Sequence, residues 1–278
     1  MTNPGISKHV PLSEVKRVRV GHLQEAKRNG ERFVMLTAYE QYSAEIFDEA
    51  GIDVLLVGDS ASNNVFGYQN MIPVTLDQLL PLCAAVTRSV TRAMVVADLP
   101  FGSFEVSPTQ AVESSIRLMK EGMAHAVKIE STKDFAPHVA AITRAGIPVM
   151  AHIGFTAQRE HLLGGYRVQG RGSDGKRIVD DALALEEAGA FCLLMEMIPA
   201  EVAAEIERTV SIPTIGIGAG SSTTGQVLVW QDMAGLRGGK PFKFVKQYAD
   251  IRGTLSSAAE AFATEVREGK FPTIDHEF

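Results

Sequence analysis

Two cysteines in 278 residues are too few for a disulfide framework. Cys83 and Cys192 lie far apart, each among apolar neighbours, and no Cys-x-x-Cys or Cys/His spacing of a zinc site is present. They read as small core thiols of a protein kept in a reducing cytoplasm. Clustered positive charge is also missing. The net charge is −6, and basic residues gather only in pairs such as Lys27-Arg28 and Lys176-Arg177. That argues against nucleic-acid and anionic-membrane partners, which select a concentrated basic face. No apolar run approaches the roughly 20 residues of a membrane span, and Met1 to Arg19 is polar, without the hydrophobic core of an export signal. No linker splits the chain. A Gly-rich phosphate loop is absent after the first apolar run, where Ala38-Tyr39-Glu40-Gln41 stands instead, which disfavours a doubly wound nucleotide fold.

What is present is a repeat of short apolar runs and amphipathic stretches. The runs are Phe33–Thr37, Val54–Val57, Met94–Ala97, Ala126–Ile129, Pro148–Ala151, Phe191–Met195 and Pro213–Ile217. Continuous apolar character over strand length is what a parallel sheet covered on both faces requires. An eighth strand fits Gln226–Val229, where helix is an equal reading. Helical spacing recurs over Ala111–Lys120, Asp180–Glu187 and Ala200–Arg208, with Pro108 and Pro199 at positions that suit a first turn. Three junctions, Ala50-Gly51, Ala145-Gly146 and Ala188-Gly189, repeat a helix-ending glycine just before a strand. The order predicts an α/β fold, a (β/α)₈ TIM barrel. It forms a single domain over 1–278, with a short N-terminal extension at about 1–20 and a C-terminal helix at about 244–268.

The ionisable residues follow the strands. Gly58-Asp59-Ser60 closes the second run, Asp98 the third, Glu130 the fourth, His152 the fifth and Glu196 the sixth, while Lys128 sits inside the fourth. Strand C-termini of a barrel share one face, where active sites are built. Each acid alone is more often a helix cap or loop residue, and His152 alone a hydrogen-bonded core histidine. Their recurrence at one geometric position carries the functional reading. Asp59, Asp98 and Glu130 brought together would repel unless a hard divalent cation, Mg²⁺ or Mn²⁺, joined them. Lys128 adds positive charge beside any bound oxyanion, which suits metal-assisted carbon–carbon chemistry on a small 2-oxo acid. Gly216-Ile217-Gly218-Ala219-Gly220 is a weak phosphate signal and serves equally as a tight turn.

These motifs resemble the ketopantoate hydroxymethyltransferase family. The likeness is carried by Val57–Ser60, Val96–Gly102, Ala126–Glu130, Pro148–Gly154 and Ile215–Gly220, supported by Leu163–Arg171 and Gly225–Val229, and runs from about Arg19 to Phe271. The resemblance implies a barrel of the phosphoenolpyruvate/pyruvate superfamily type that assembles as a homodecamer. It implies transfer of a hydroxymethyl group from 5,10-methylenetetrahydrofolate to 3-methyl-2-oxobutanoate, giving ketopantoate for pantothenate and coenzyme A synthesis. By the same resemblance Asp59, Asp98 and Glu130 hold Mg²⁺. Asp59, Ser60, Asp98 and Lys128 meet the oxo acid, with His152 in a supporting role, and Glu196 accepts a proton. The chain departs from the family pattern at Gln69, Ser131, Thr132, Ala157 (where proline is usual) and Thr224. These departures bear on the loops around the oxo acid and folate, and leave a related 2-oxo acid aldolase or lyase as the alternative.

Overall fold

The computed structural model describes residues 10–278. Met1–His9, the first half of the expected N-terminal extension, lies outside the described residues. Two compact units are present, one ending at Leu228 and one spanning Val229–Phe278.

The first unit is a closed barrel of eight parallel strands in sequence order. They are β1 (Phe33–Thr37), β2 (Val54–Val57), β3 (Met94–Asp98), β4 (Ala126–Glu130), β5 (Val149–Gly154), β6 (Cys192–Glu196), β7 (Thr214–Ile217) and β8 (Gly225–Leu228). Helix α1 (Val20–Asn29) precedes β1, and between the strands lie α2 (Gln41–Glu49), α3 (Ala61–Asn64), α4 (Leu76–Ser89), α5 (Pro108–Lys120), α6 (Ala136–Arg144), α7 (Glu160–Leu163), α8 (Gly175–Glu187) and α9 (Ala200–Thr209). The expected (β/α)₈ class is observed. The region left open between strand and helix at 226–229 is strand, since Gly225–Leu228 pairs with β1 and β7 and closes the ring.

Local chemistry sets the boundaries. Ser107 caps α5 by accepting from the Gln110 N–H, with Pro108 in the first turn. Thr75 and Gln78 cap α4 reciprocally. Gly51, Gly146 and Gly189 all adopt left-handed φ at the three repeated junctions, which stops each helix and turns the chain into the next strand.

Side chains alternate between the two faces of a strand. The inward set near the strand starts is apolar: Phe33, Met35, Val54, Leu56, Met94, Val96, Ala126, Met150, Cys192, Leu194, Ile215 and Val227 form one buried cluster. Leu12, Val15, Val18, Leu23 and Ala26 join it. The described part of the expected extension is therefore barrel core. It is also fastened by hydrogen bonds from the Val18 N–H to the Arg92 carbonyl and from Arg92 to the Leu12 carbonyl.

In the second unit, α10 (Trp230–Met233) precedes α11 (Ile251–Arg267). The helix expected from 244 begins instead at Ile251, because the Asp250 side chain accepts from the Gly253 N–H and caps it there. Among the described residues no helix is long and apolar enough to cross a membrane.

Candidate active site

Two residues along each inward row the polarity reverses. Met94 and Val96 lead to Asp98, Ala126 to Lys128 and Glu130, Met150 to His152, and Cys192 and Leu194 to Glu196. Strand pairing sets them side by side: Asp98 opposite Lys128, Glu130 opposite His152, Gly154 opposite Glu196. The structure brings the predicted ionisable residues to one rim of the barrel. His152, expected to close its strand, does not, because β5 runs on to Gly154.

Asp59, Asp98, Lys128, Glu130 and His152 are all at most 5% exposed. Lys128 donates to Asp98 Oδ1 in a short contact. The Asp59 N–H donates to Asp98 Oδ2 at 2.9 Å. Ser60 Oγ lies 2.7 Å from the phenol oxygen of Tyr39, at the end of β1. Glu130 accepts the N–H groups of Ala157 and Gln158 on its two oxygens, each at 3.0 Å. Gln158 Nε2 then donates to Asp59 Oδ2 at 2.9 Å and to the Leu99 carbonyl at 3.0 Å. Gln158 and Tyr39 were not anticipated. Tyr39 occupies the same strand-end position as the acids, which was the available signal. Gln158 carries no charge and sits in a single 3-10 turn after β5.

Burial dominates the electrostatics. It pushes Asp98 up to about 6, against the pull of Lys128, with the Asp59 charge adding to the push. Glu130 is raised well above the carboxylate range, first by burial and then by Asp59, although Lys128 opposes. Burial disfavours the ammonium of Lys128, but Asp98, Asp59 and Glu130 outweigh it and hold the charge. His152 is driven well below the imidazole range by burial and by Lys128, so it is neutral. It stands 3.6 Å from Glu130 and 3.5 Å from Glu196 as a spacer, with neither ring nitrogen hydrogen-bonded among the described residues.

Glu196 is separate from this network. Burial pushes its carboxyl up to about 8, opposed by Lys128 and helped by Asp59 and Asp98. A fifth of its side chain stays accessible, and water on that side offsets part of the push. Its backbone is placed by Gly154, whose φ is +94° and where a Cβ would come within 2.4 Å of the Glu196 carbonyl oxygen. Met197 follows at φ +46°, a turn that lifts the chain off β6 just past the acid.

With all three ionised, the buried acids facing one ammonium leave an imbalance of two negative charges, and a divalent cation is what would hold them in that form. The donors are all oxygen, as a hard ion requires. Among the described residues no three His, Cys, Asp or Glu side chains are gathered into a ready cage. Glu130 is turned to two backbone amides. The set therefore fits an ion such as Mg²⁺, which commonly takes one or two carboxylates and keeps water and substrate oxygens. Asp59 and Asp98 are the direct candidates, with Glu130 beside them.

Two of the departures from the family pattern gain a location. Ala157 has an N–H that donates to Glu130, and a proline there would have none. Thr224 was read as bearing on the loops around the substrate. It lies instead just before β8, on the strand-start face. There its hydroxyl donates to Glu207 at 2.9 Å, which also pairs with Lys27 and accepts from Thr214. In the Gly216–Gly220 turn, a Cβ on Gly220 would press on Ala200, so the glycine permits close packing against α9.

The fold and the rim of acids define a class. Solved structures with this barrel include phosphonopyruvate hydrolase, at TM-score 0.61 and 17% identity over 93% of this chain and 90% of that one. Another is 2,3-dimethylmalate lyase, described as a PEP mutase/isocitrate lyase superfamily member, at TM-score 0.59 and 18% identity over 97% and 92%. At these identities the likeness is one of fold. Sequence carries the assignment further. The family model for ketopantoate hydroxymethyltransferase matches residues 17–274, and the chain belongs to that family. Relatives called 3-methyl-2-oxobutanoate hydroxymethyltransferase include one from Paenarthrobacter aurescens, 67% identical over 95% of this chain and 88% of that protein. One from Nocardioides sp. is 59% identical over 100% and 95%, and one from Mycobacterium tuberculosis is 54% identical over 94% and 93%.

Proposed function

We propose that this chain is a Mg²⁺-dependent transferase. It moves a one-carbon unit from 5,10-methylenetetrahydrofolate to 3-methyl-2-oxobutanoate, with water supplying the hydroxyl oxygen, and releases ketopantoate and tetrahydrofolate. The product belongs to pantothenate and coenzyme A synthesis. The observation that carries the reading is the division of the acids: Glu196 stands on the same rim as the Asp59–Asp98–Lys128 cluster but outside its hydrogen bonds, with part of its side chain accessible.

Asp59 and Asp98 would hold Mg²⁺, which when bound would supply positive charge that acidifies the hydrogen at C3 of a 2-oxo acid. Lys128, held charged, faces the anionic oxygens of that acid, and the Ser60 and Tyr39 hydroxyls supply neutral donors beside it. Ionised Glu196 takes the C3 proton. Water adds to the one-carbon unit as both of that carbon's bonds to nitrogen break, which frees tetrahydrofolate and leaves the carbon as an aldehyde carbonyl. The carbanion adds to this carbonyl, and protonated Glu196 is the nearby acid that returns its proton to the new alkoxide. Neutral His152 keeps Glu130 and Glu196 apart without adding charge.

The test is product analysis with Mg²⁺, methylenetetrahydrofolate and a panel of branched 2-oxo acids. Deuterium exchange at C3 is followed with folate omitted. Exchange without folate and ketopantoate only with it is the expected result. Folate-independent cleavage or condensation of a 2-oxo acid points to a lyase and refutes the reading. Loss of Mn²⁺ binding in Asp59→Ala and Asp98→Ala tests the metal, and full affinity in both variants removes these two ligands.

A further inference from the structure

A cavity of about 380 Å³ opens beside Glu130, walled by Phe101 and Phe104 from the β3–α5 loop, Phe135 from the segment after β4, and Gln158 and Arg159 from the segment after β5. Phe101 falls within the Val96–Gly102 motif, and none of the five is among the site residues expected from the sequence.

Its walls suit a flat ring system. Phe104 and Phe135 meet edge to face at 5.7 Å. The ring of Phe135 is pinned by His138, 4.9 Å away, and by the Arg159 guanidinium, 5.2 Å from its centre. Phe101 stands at the mouth with nearly half of its surface exposed, a large apolar group kept in water. Fixed aromatic walls present faces and edges against which a planar heterocycle stacks.

One polar feature is unexplained by the fold. Gln158 is buried, and its Oε1 finds no hydrogen-bond partner among the described residues. A buried amide oxygen without a donor is costly, and a ligand N–H would satisfy it. The same side chain donates through Nε2 to Asp59. The same amide thus joins the cavity to the acid cluster, whose Glu130 also lines it.

We infer that this aromatic cavity seats the ring system of the one-carbon carrier, its faces against Phe101, Phe104 and Phe135 and an N–H edge donating to Gln158 Oε1. The inference rests on the reading that a reduced folate is the donor. Arg159 and His161 at the rim place cationic and polar groups where the anionic tail of such a carrier would leave.

The experiment is a substitution at Phe101, whose exposure makes its removal cheap for the fold. In Phe101→Ala the KM for methylenetetrahydrofolate and the Kd for tetrahydrofolate rise about tenfold, the effect of losing ~1.4 kcal/mol of ring contact. The KM for the 2-oxo acid does not follow, and Phe101→Tyr restores both carrier constants. Carrier constants within about twofold of wild type, or the two KM values rising together, overturn the subsite. So does absence of tetrahydrofolate binding to the unaltered enzyme. Binding that Phe101→Ala weakens, in an enzyme making no ketopantoate, sinks the reaction assigned above and upholds the subsite.

Discussion

Replacing Lys128 by Met removes the single cation from a buried cluster of three carboxylates while keeping most of the side-chain volume. Asp98 loses its ion-pair partner at 1% exposure, and Asp59 and Glu130 lose the positive charge that offsets their repulsion. Breaking a buried pair on one side costs about 3–5 kcal/mol, because the remaining charge stays desolvated. At roughly 2–4 °C per kcal/mol, the expected drop in Tm is on the order of 10 °C. The cost depends on pH. Without Lys128 the folded-state pKa values of Asp98 and Glu130 climb further above their unfolded values, so the folded protein binds more protons than the unfolded chain. Stability of the variant then falls as pH rises. The deficit against wild type is largest at about pH 8 and shrinks toward about pH 5.5, where the freed carboxylates carry protons. Scanning calorimetry with EDTA at fixed protein concentration measures it. Adding Asp98→Asn to Lys128→Met removes the stranded charge and recovers most of the loss. Equal deficits at both pH values, or a double variant less stable than the single one, refute the account.

Glu196→Gln lowers kcat by about 10²–10⁴-fold. Since burial raises Glu196 to about 8 and the base must be ionised, wild-type kcat climbs with pH through that region, while the residual rate of the variant is flat there. A sloping residual rate removes Glu196 as the base. Ala157→Pro is tolerated at the first position of its short helix but deletes a donor to Glu130. In metal-free protein it costs about 0.5–1.5 kcal/mol by thermal unfolding, the net worth of one hydrogen bond. An unchanged Tm shows that the second amide suffices. Glu207→Ala breaks the Lys27–Glu207–Thr214–Thr224 group at the strand-start end. It lowers stability by about 1–3 kcal/mol and leaves kcat per folded molecule as in wild type, so a matching fall in kcat contradicts the separation of the two ends.

The strands were legible because a doubly covered parallel sheet needs unbroken apolar runs, and Val54–Val57 or Cys192–Met195 offer little else. The eighth was ambiguous for the converse reason. Gln226 points outward and exposed, which leaves too short an apolar signal to separate strand from helix. The acids were legible through period-two alternation, which puts Asp98, Lys128, Glu130 and Glu196 on the inner face above apolar neighbours. Thr224 was misplaced because the sequence does not mark which end of the last strand a turn feeds. Ala157 was noticed as a side-chain change, whereas its consequence is a backbone N–H. Gln158 escaped because an uncharged amide in a single short turn has no periodic or charge signature, and its importance appears only when Asp59 and Glu130 are seen on either side of it.

That last arrangement bears on how the protein assembles. The segment after β5 holds Glu130 with two amides and Asp59 with the Gln158 side chain, so three different strand ends are tied by one short stretch of chain. A barrel otherwise lets each loop order independently of its neighbours. Here the ordering of 157–158 and the orientation of two acids are coupled through three hydrogen bonds. A disordered loop would leave Asp59 and Glu130 unmoored at once, and any ligand that favours their oriented forms also favours the ordered loop by the same free energy.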